Sequence, residues 1–149
     1  MITIRRGRPS DREAIVTFQI RMARETEGLA LDREAASLGV QAVFDDSAKG
    51  TYWVAERGGE IVGSLLTVPE WSDWRNGTVL WIHSLYVIPE ARGQGVFRQL
   101  YQTLRGRVET DPGLKGLRLY VDKGNTRAQR IYHALGMDGE HYRVYEWMK

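Results

Sequence analysis

The residues with the clearest chemical potential lie in a glycine loop, Arg92-Gly93-Gln94-Gly95-Val96-Phe97, between a strand-like run ending at Val87 and a helical run beginning near Val96. The first turn of a helix leaves N–H groups unpaired and carries about half a positive charge. Glycine lets a ligand approach the backbone closely, so a strand–glycine loop–helix sequence can cradle a phosphate. The same pattern also serves as a tight turn capping a structural helix. Two better-known phosphate loops are excluded. The dinucleotide fingerprint needs glycine at position 98, where Arg98 stands, and no Gly-Lys-Ser/Thr run of a P-loop occurs. The chain has no cysteine, which removes a thiol nucleophile, a Cys-based zinc site and a disulfide framework.

The surrounding pattern gives the elements that must hold this loop. Ile2–Arg6 alternates as a first strand. Ser10 and Glu13 form a capping box ahead of a helix that turns Ile15, Phe18 and Met22 inward and ends near Gly28. A second helix starts at Asp32, with Ala36, Val40, Val43 and Phe44 on its apolar side. Thr51–Arg57 and Glu60–Pro69 form a hairpin across Gly58-Gly59. Trp71–Gly77 reads as a loop and Val79–Val87 as a long strand that Pro89 stops. Phe97, Leu100, Tyr101, Leu104 and Val108 space a helix, which Asp111-Pro112-Gly113 breaks. A strand follows at Leu117–Val121. Then comes a helix opened by Asn125 and closed by Gly136, and Tyr142–Met148 reads as a last strand. The expected fold is an α/β single domain over 1–149, with a mixed, mostly antiparallel sheet flanked by helices in the order β-α-α-β-β-β-α-β-α-β.

Two stretches carry a family resemblance. Leu85-Tyr86-Val87-Ile88-Pro89-Glu90 followed by Arg92-Gly93-Gln94-Gly95 matches a strand leading into the pattern Gln/Arg-x-x-Gly-x-Gly/Ala, with Phe97 departing from the small residue at its last position. Asn125, Ala128, Tyr132, Gly136 and Met137 match the pattern Asn-x-x-Ala-x-x-x-Tyr-x-x-x-Gly-Phe/Met. With both motifs in this order, the chain resembles the GNAT N-acetyltransferases over nearly its whole length. The resemblance implies acetyl-CoA as donor, coenzyme A as product, no metal, and direct transfer to an amine within a ternary complex. It implies that the strands 79–87 and 117–121 splay, that backbone groups at Leu85, Tyr86 and Val87 take the pantetheine arm, and that N–H groups from Arg92 through Gly93, Gln94, Gly95, Val96 and Phe97 to Arg98 take the pyrophosphate. Asn125 is either a helix cap, a coenzyme contact, or both.

The implied chemistry sets two proton problems. An alkyl amine has a pKa of about 10.4, so roughly one molecule in 10³ is free base at pH 7. The departing thiolate also gains from a proton donor. By the resemblance Tyr132 is that donor. Relatives place a glutamate base at positions that are Tyr120 and Trp81 here, and neither can act as an ordinary base. His83 shares a strand face with Trp81 and ordinarily titrates at about 6.5, so it is one candidate base. Asp122, in line with Tyr120, is another, and a water chain without a dedicated base is a third. For the acceptor, the fold family suggests the first two helices and the loop before the third long strand. Glu25 lies there with Trp71, Trp74 and Trp81, a carboxylate among aromatic faces that suits a cation such as an amine.

Composition bounds the alternatives. A net charge of +2 with scattered basic residues gives no nucleic-acid stripe, and no apolar run reaches membrane-spanning length. The start of the chain shows no apolar leader, and the cysteine-free composition fits the cytoplasm. Expected partners are a small-molecule or peptide amine, with no nucleic acid and no membrane. A homodimer is compatible with the sequence. A non-catalytic coenzyme A or acyl-CoA sensor on the same scaffold is the alternative function.

Overall fold

A computed structural model describes residues 1–149. It falls into two compact units, Met1–Leu119 and Tyr120–Lys149.

The first unit is built on a five-stranded sheet: β1 (Ile2–Arg6), β2 (Thr51–Arg57), β3 (Glu60–Ser72), β4 (Gly77–Val87) and β5 (Leu114–Leu119) lie side by side in sequence order. The first four are antiparallel neighbours and β5 runs parallel to β4. The β2–β3 hairpin turns at Gly58 and Gly59, both at positive φ, as the Gly-Gly pair predicts. The β3–β4 hairpin is longer than its sequence suggests. Pairing continues through Ser72 and Gly77, so Trp71 belongs to β3 and the expected loop shrinks to 73–76.

Helices α1 (Arg12–Glu27) and α2 (Arg33–Asp45) cover one sheet face, where Ile15, Val16, Val40, Tyr52 and Val54 form a buried cluster. Helix α3 (Val96–Thr110) lies on the other. Trp53, next to Tyr52 and so on the opposite face, carries the Arg107 guanidinium 5.2 Å from its ring centre, and Val96, Leu100 and Leu104 are buried. The Asp32 carboxylate caps α2 by accepting from the Glu34 and Ala35 N–H groups at 2.8 and 3.2 Å. Gly28 ends α1 at φ 64°.

The Ser10 cap is corrected. Residues Pro9–Asp11 form a 3-10 turn ahead of α1, and Asp11, not Ser10, supplies the side-chain bond, accepting from the Arg8 N–H at 2.7 Å. The Asp11 carboxylate is bound bidentately by Arg5, which also reaches Glu56, so it is held among β1, β2 and the start of α1 instead of sitting on the helix end.

The second unit holds one helix, α4 (Thr126–Ala134), which Asn125 caps by accepting from the Ala128 N–H at 3.1 Å. Gly136 follows the helix at φ 88°. Two boundaries differ from expectation. The strand read at Leu117–Val121 is realised as Leu114–Leu119, and within this unit Tyr142–Met148 forms no strand. A strand exists only through a ladder, and alternation in seven residues supplies none by itself.

Candidate active site

The glycine loop between β4 and α3 is open above its backbone. Gly93 and Gly95 stand at φ 76° and 78°, and a Cβ built on either would meet nothing within 4 Å. The backbone is therefore left-handed there with open space above it, a conformation that favours glycine for its torsion rather than for room. Gly95 is the N-cap of α3 and provides no capping side chain. The first bond of the helix ladder runs from the Gln99 N–H to the Gly95 carbonyl at 3.1 Å, which leaves the N–H groups at 96–98 outside that ladder. Val96 is buried, and the Phe97 ring sits 6.2 Å from that of Tyr101, one turn along α3. The large residue at the departing motif position thus packs along its own helix.

Two side chains stake the loop down. Gln94 accepts a 2.6 Å hydrogen bond from Arg57 at the end of β2 and donates to the Glu90 carbonyl. Arg92 donates through Nε to the Val87 carbonyl at 2.9 Å and through Nη2 to the Glu25 carboxylate at 2.7 Å. The other Glu25 oxygen accepts from the Tyr86 hydroxyl at 3.0 Å. Arg92, first, and the Tyr86 hydroxyl hold the Glu25 carboxyl below its usual range. Burial and the neighbouring carboxylate raise the Tyr86 phenol. Glu25 therefore stays ionised at neutral pH, with both oxygens engaged inside the protein.

Strand β4 carries an extra residue beside the loop. Leu66 pairs with His83 and Ser64 with Tyr86, so Leu65 faces both Ser84 and Leu85, and Ser84 adopts φ 53°. This bulge resets the alternation. His83 and Tyr86 come to the same face instead of opposite ones. The β5 ladder ends at the Ile82–Leu119 pair, the last residue of β5, so residues 83–87 of β4 continue beyond it.

The face shared with α1 and α2 shows which candidates belong together. Tyr52 pairs with Leu66, Leu66 with His83 and Val68 with Trp81, which puts Trp81 and His83 on that face. Their rings are 6.3 Å apart. Across Trp81, the Arg118 guanidinium lies 5.9 Å from the indole and donates to Glu70 at 3.1 Å. The Glu70–Arg118 pair was not singled out from the sequence. Its only signal was the two-residue spacing of Val68 and Glu70, readable once the register with Trp81 is known. Burial pushes the His83 imidazole below its ordinary pKa, so it is neutral at pH 7 and able to accept a proton.

The grouping of tryptophans is corrected. Trp71 differs by an odd number of residues from Glu70 and Val68 along a regular ladder, so it points to the opposite face from Trp81. Trp74 lies in the hairpin tip and is 88 % exposed. Neither is brought to Trp81.

In the second unit, Asp122 is a turn residue and not part of a strand with Tyr120. Its carboxylate accepts from the Gly124 N–H at 2.7 Å, and its carbonyl accepts from the Asn125 N–H and the Gln129 side chain. Burial raises the Tyr132 phenol above its ordinary pKa. No group of three or more His, Asp or Glu side chains could hold a metal ion. No helix is long and apolar enough to cross a membrane.

The chain is similar to known proteins. The chain is 38 % identical over 87 residues to a mycothiol acetyltransferase of Thermobispora bispora, covering 57 % of this chain and 29 % of that protein. It is 37 % identical over 76 residues to a thialysine N-epsilon-acetyltransferase of Bos taurus, covering 51 % and 44 % respectively. The matches thus span less than half the length of these curated relatives. The crystal structure of a possible acetyltransferase from Clostridium difficile 630 superposes with a TM-score of 0.93 at 38 % identity, over 100 % of this chain and 98 % of that one. The glycine loop and the Asn125–Met137 motif both fall within residues 17–137, which match the acetyltransferase (GNAT) family, and the chain belongs to that family.

Proposed function

We propose that this protein is an N-acetyltransferase that binds acetyl-CoA and passes the acetyl group directly to an amine, with residues 1–149 acting as one domain. The observation that carries this reading is the loop of Gly93 and Gly95, open above its backbone and leading into an uncapped helix start. The N–H groups at 96–98 and the positive end of α3 suit a diphosphate. The backbone of β4 around the Ser84–Leu85 bulge, beyond the last pair with β5, is the proposed berth of the pantetheine arm. The Val87 carbonyl already accepts from Arg92, which leaves the bulged residues as the better partners.

In this reading the amine nitrogen forms a bond to the thioester carbonyl carbon and the C–S bond breaks. His83 takes the proton the amine loses. Its burial-lowered pKa keeps the accepting form populated. Tyr132 gives a proton to the sulfur, supported by the family motif; its phenol, which burial raises, is protonated at neutral pH. Asn125 caps α4 and is a further proposed coenzyme contact. Trp81, with the Glu70–Arg118 pair across it, forms the proposed floor under the acceptor, a surface suited to a small polar amine. Small-molecule and peptide amines both remain in the acceptor class, and the thialysine relative is the kind of substrate to test first. A cytoplasmic location belongs to the same reading, supported by the absence of cysteine.

The test is an acceptor screen. The protein is incubated with acetyl-CoA and a panel of amines, free thiol is followed, and products are identified by mass spectrometry. Acceptor-dependent thiol release with an acetylated amine is expected. Tight coenzyme A binding without release over any amine would favour the acyl-CoA sensor instead.

A further inference from the structure

We infer that Glu25 is a positioning residue for the coenzyme loop, acting through Arg92, and not an acceptor ligand; this rests on the acetyl-CoA reading above. Glu25 lies near the end of α1, far in sequence from the loop, yet its carboxylate makes a 2.7 Å ion pair with the residue that opens it. Arg92 is held on three sides: by Glu25, by the Val87 carbonyl at the end of β4, and by the Tyr86 ring 5.4 Å away. Tyr86 closes the ring of contacts by donating to Glu25, and its own ring packs 5.2 Å from Phe18 of α1. Beyond Arg92 the backbone passes through two left-handed glycines, at which an added Cβ would meet nothing within 4 Å, with Gln94 between them held by Arg57 and the Glu90 carbonyl. The direction of the loop's N–H groups therefore depends on its stakes, and Arg92 is the one tied to α1.

Electrostatics gives this inference an unambiguous sign. Removing a carboxylate beside an anion site raises the local potential, which by itself tightens binding of a diphosphate. Were Arg92 a phosphate ligand restrained by Glu25, freeing it would also tighten binding. A positioning role predicts the opposite, because an unstaked loop must be ordered each time coenzyme binds.

The experiment is calorimetric titration of coenzyme A into the wild type, Glu25→Gln, Glu25→Ala, Arg92→Ala and the double Glu25→Ala/Arg92→Ala variant, with the apo melting temperature of each. The expected result is about tenfold weaker binding for Glu25→Ala, the loss of one charged hydrogen-bond pair. Glu25→Gln, which keeps the shape and one accepting oxygen, should fall between it and the wild type. The double variant should bind within about twofold of Arg92→Ala alone, since both act through one contact. Apo melting temperatures close to wild type would separate loop positioning from general destabilisation. Equal or tighter binding by Glu25→Ala and Glu25→Gln overturns the inference while leaving the acetyl-CoA reading intact. Additive losses in the double variant, or losses that track the apo melting temperatures, also overturn it. Failure of the wild type to bind coenzyme A removes the acetyl-CoA reading and the inference with it.

Discussion

In the proposed reaction two demands meet at His83. The imidazole must be neutral to accept a proton, and burial, by penalising the imidazolium, keeps it so at pH 7. The amine must also arrive as the free base, its ammonium proton lost to solvent before His83 takes the one released on attack, so below the His83 pKa two ionisations limit kcat/KM and the logarithmic slope against pH is about 2, falling to about 1 above it. Burial lowers the pKa, so the break is expected below about 6.5. In His83→Gln the break should vanish and a slope of about 1 should extend to the acid end of the profile. An unchanged break in that variant would remove His83 as the base. Tyr132→Phe keeps the ring and deletes the donor; a loss of about 10²-fold or more in kcat, with coenzyme A affinity retained, is expected. Both proposed roles rest on residue types legible in a motif or on a strand. The pairing of Glu25 with Arg92 was not, because a carboxylate on a helix and a guanidinium in a distant loop carry no sequence signal of their contact.

At the scale of the element, the decisive unit is β4–loop–α3. Gly95 could accept a methyl group sterically, yet at φ 78° an L-residue is strained by about 1–2 kcal/mol. Gly95→Ala should therefore either lower stability by that amount or rotate the loop, and in both cases weaken coenzyme A binding. Titration calorimetry paired with a melting curve distinguishes this from an inert change. The existence and order of β2, β3, β4 and α3 were readable from alternation, a Gly-Gly turn and helical spacing. The Ser84–Leu85 bulge was not, since an extra residue opposite Leu65 is fixed by how β3 and β4 seat against the helices on both faces. It decides that His83 and Tyr86 share a face.

For the whole first unit, the network of Arg5, Asp11 and Glu56 binds β1, β2 and the start of α1. The Arg5 guanidinium holds the Asp11 carboxyl below its usual range. A carboxylate whose folded pKa is depressed adds stability that is fully present above its unfolded value of about 3.9 and lost as pH falls through the folded value. Asp11→Asn should thus cost about 1–3 kcal/mol at pH 7, as loss of a charged hydrogen-bonding partner does. The gap from wild type should narrow below pH about 4 as the wild-type carboxyl protonates. Urea unfolding at a series of pH values measures both; a gap that stays constant into acid would show that the charge of Asp11 is not what stabilises the fold.

The sequence by itself determined the α/β class, the strand and helix order through α4, the glycine loop ahead of α3 and the family to which the chain belongs. These rest on local torsional preference, periodicity and short motifs, all of which act over a few residues. Tertiary structure decided which residues share a face. It separated Trp71 from Trp81, set Glu70 and Arg118 across that indole, turned Asp122 into a turn residue, and gave Glu25 to Arg92. The physical reason is that strand register and the reach of long charged side chains depend on contacts between segments distant in the chain. A one-residue slip or bulge reverses every face beyond it without changing a single residue.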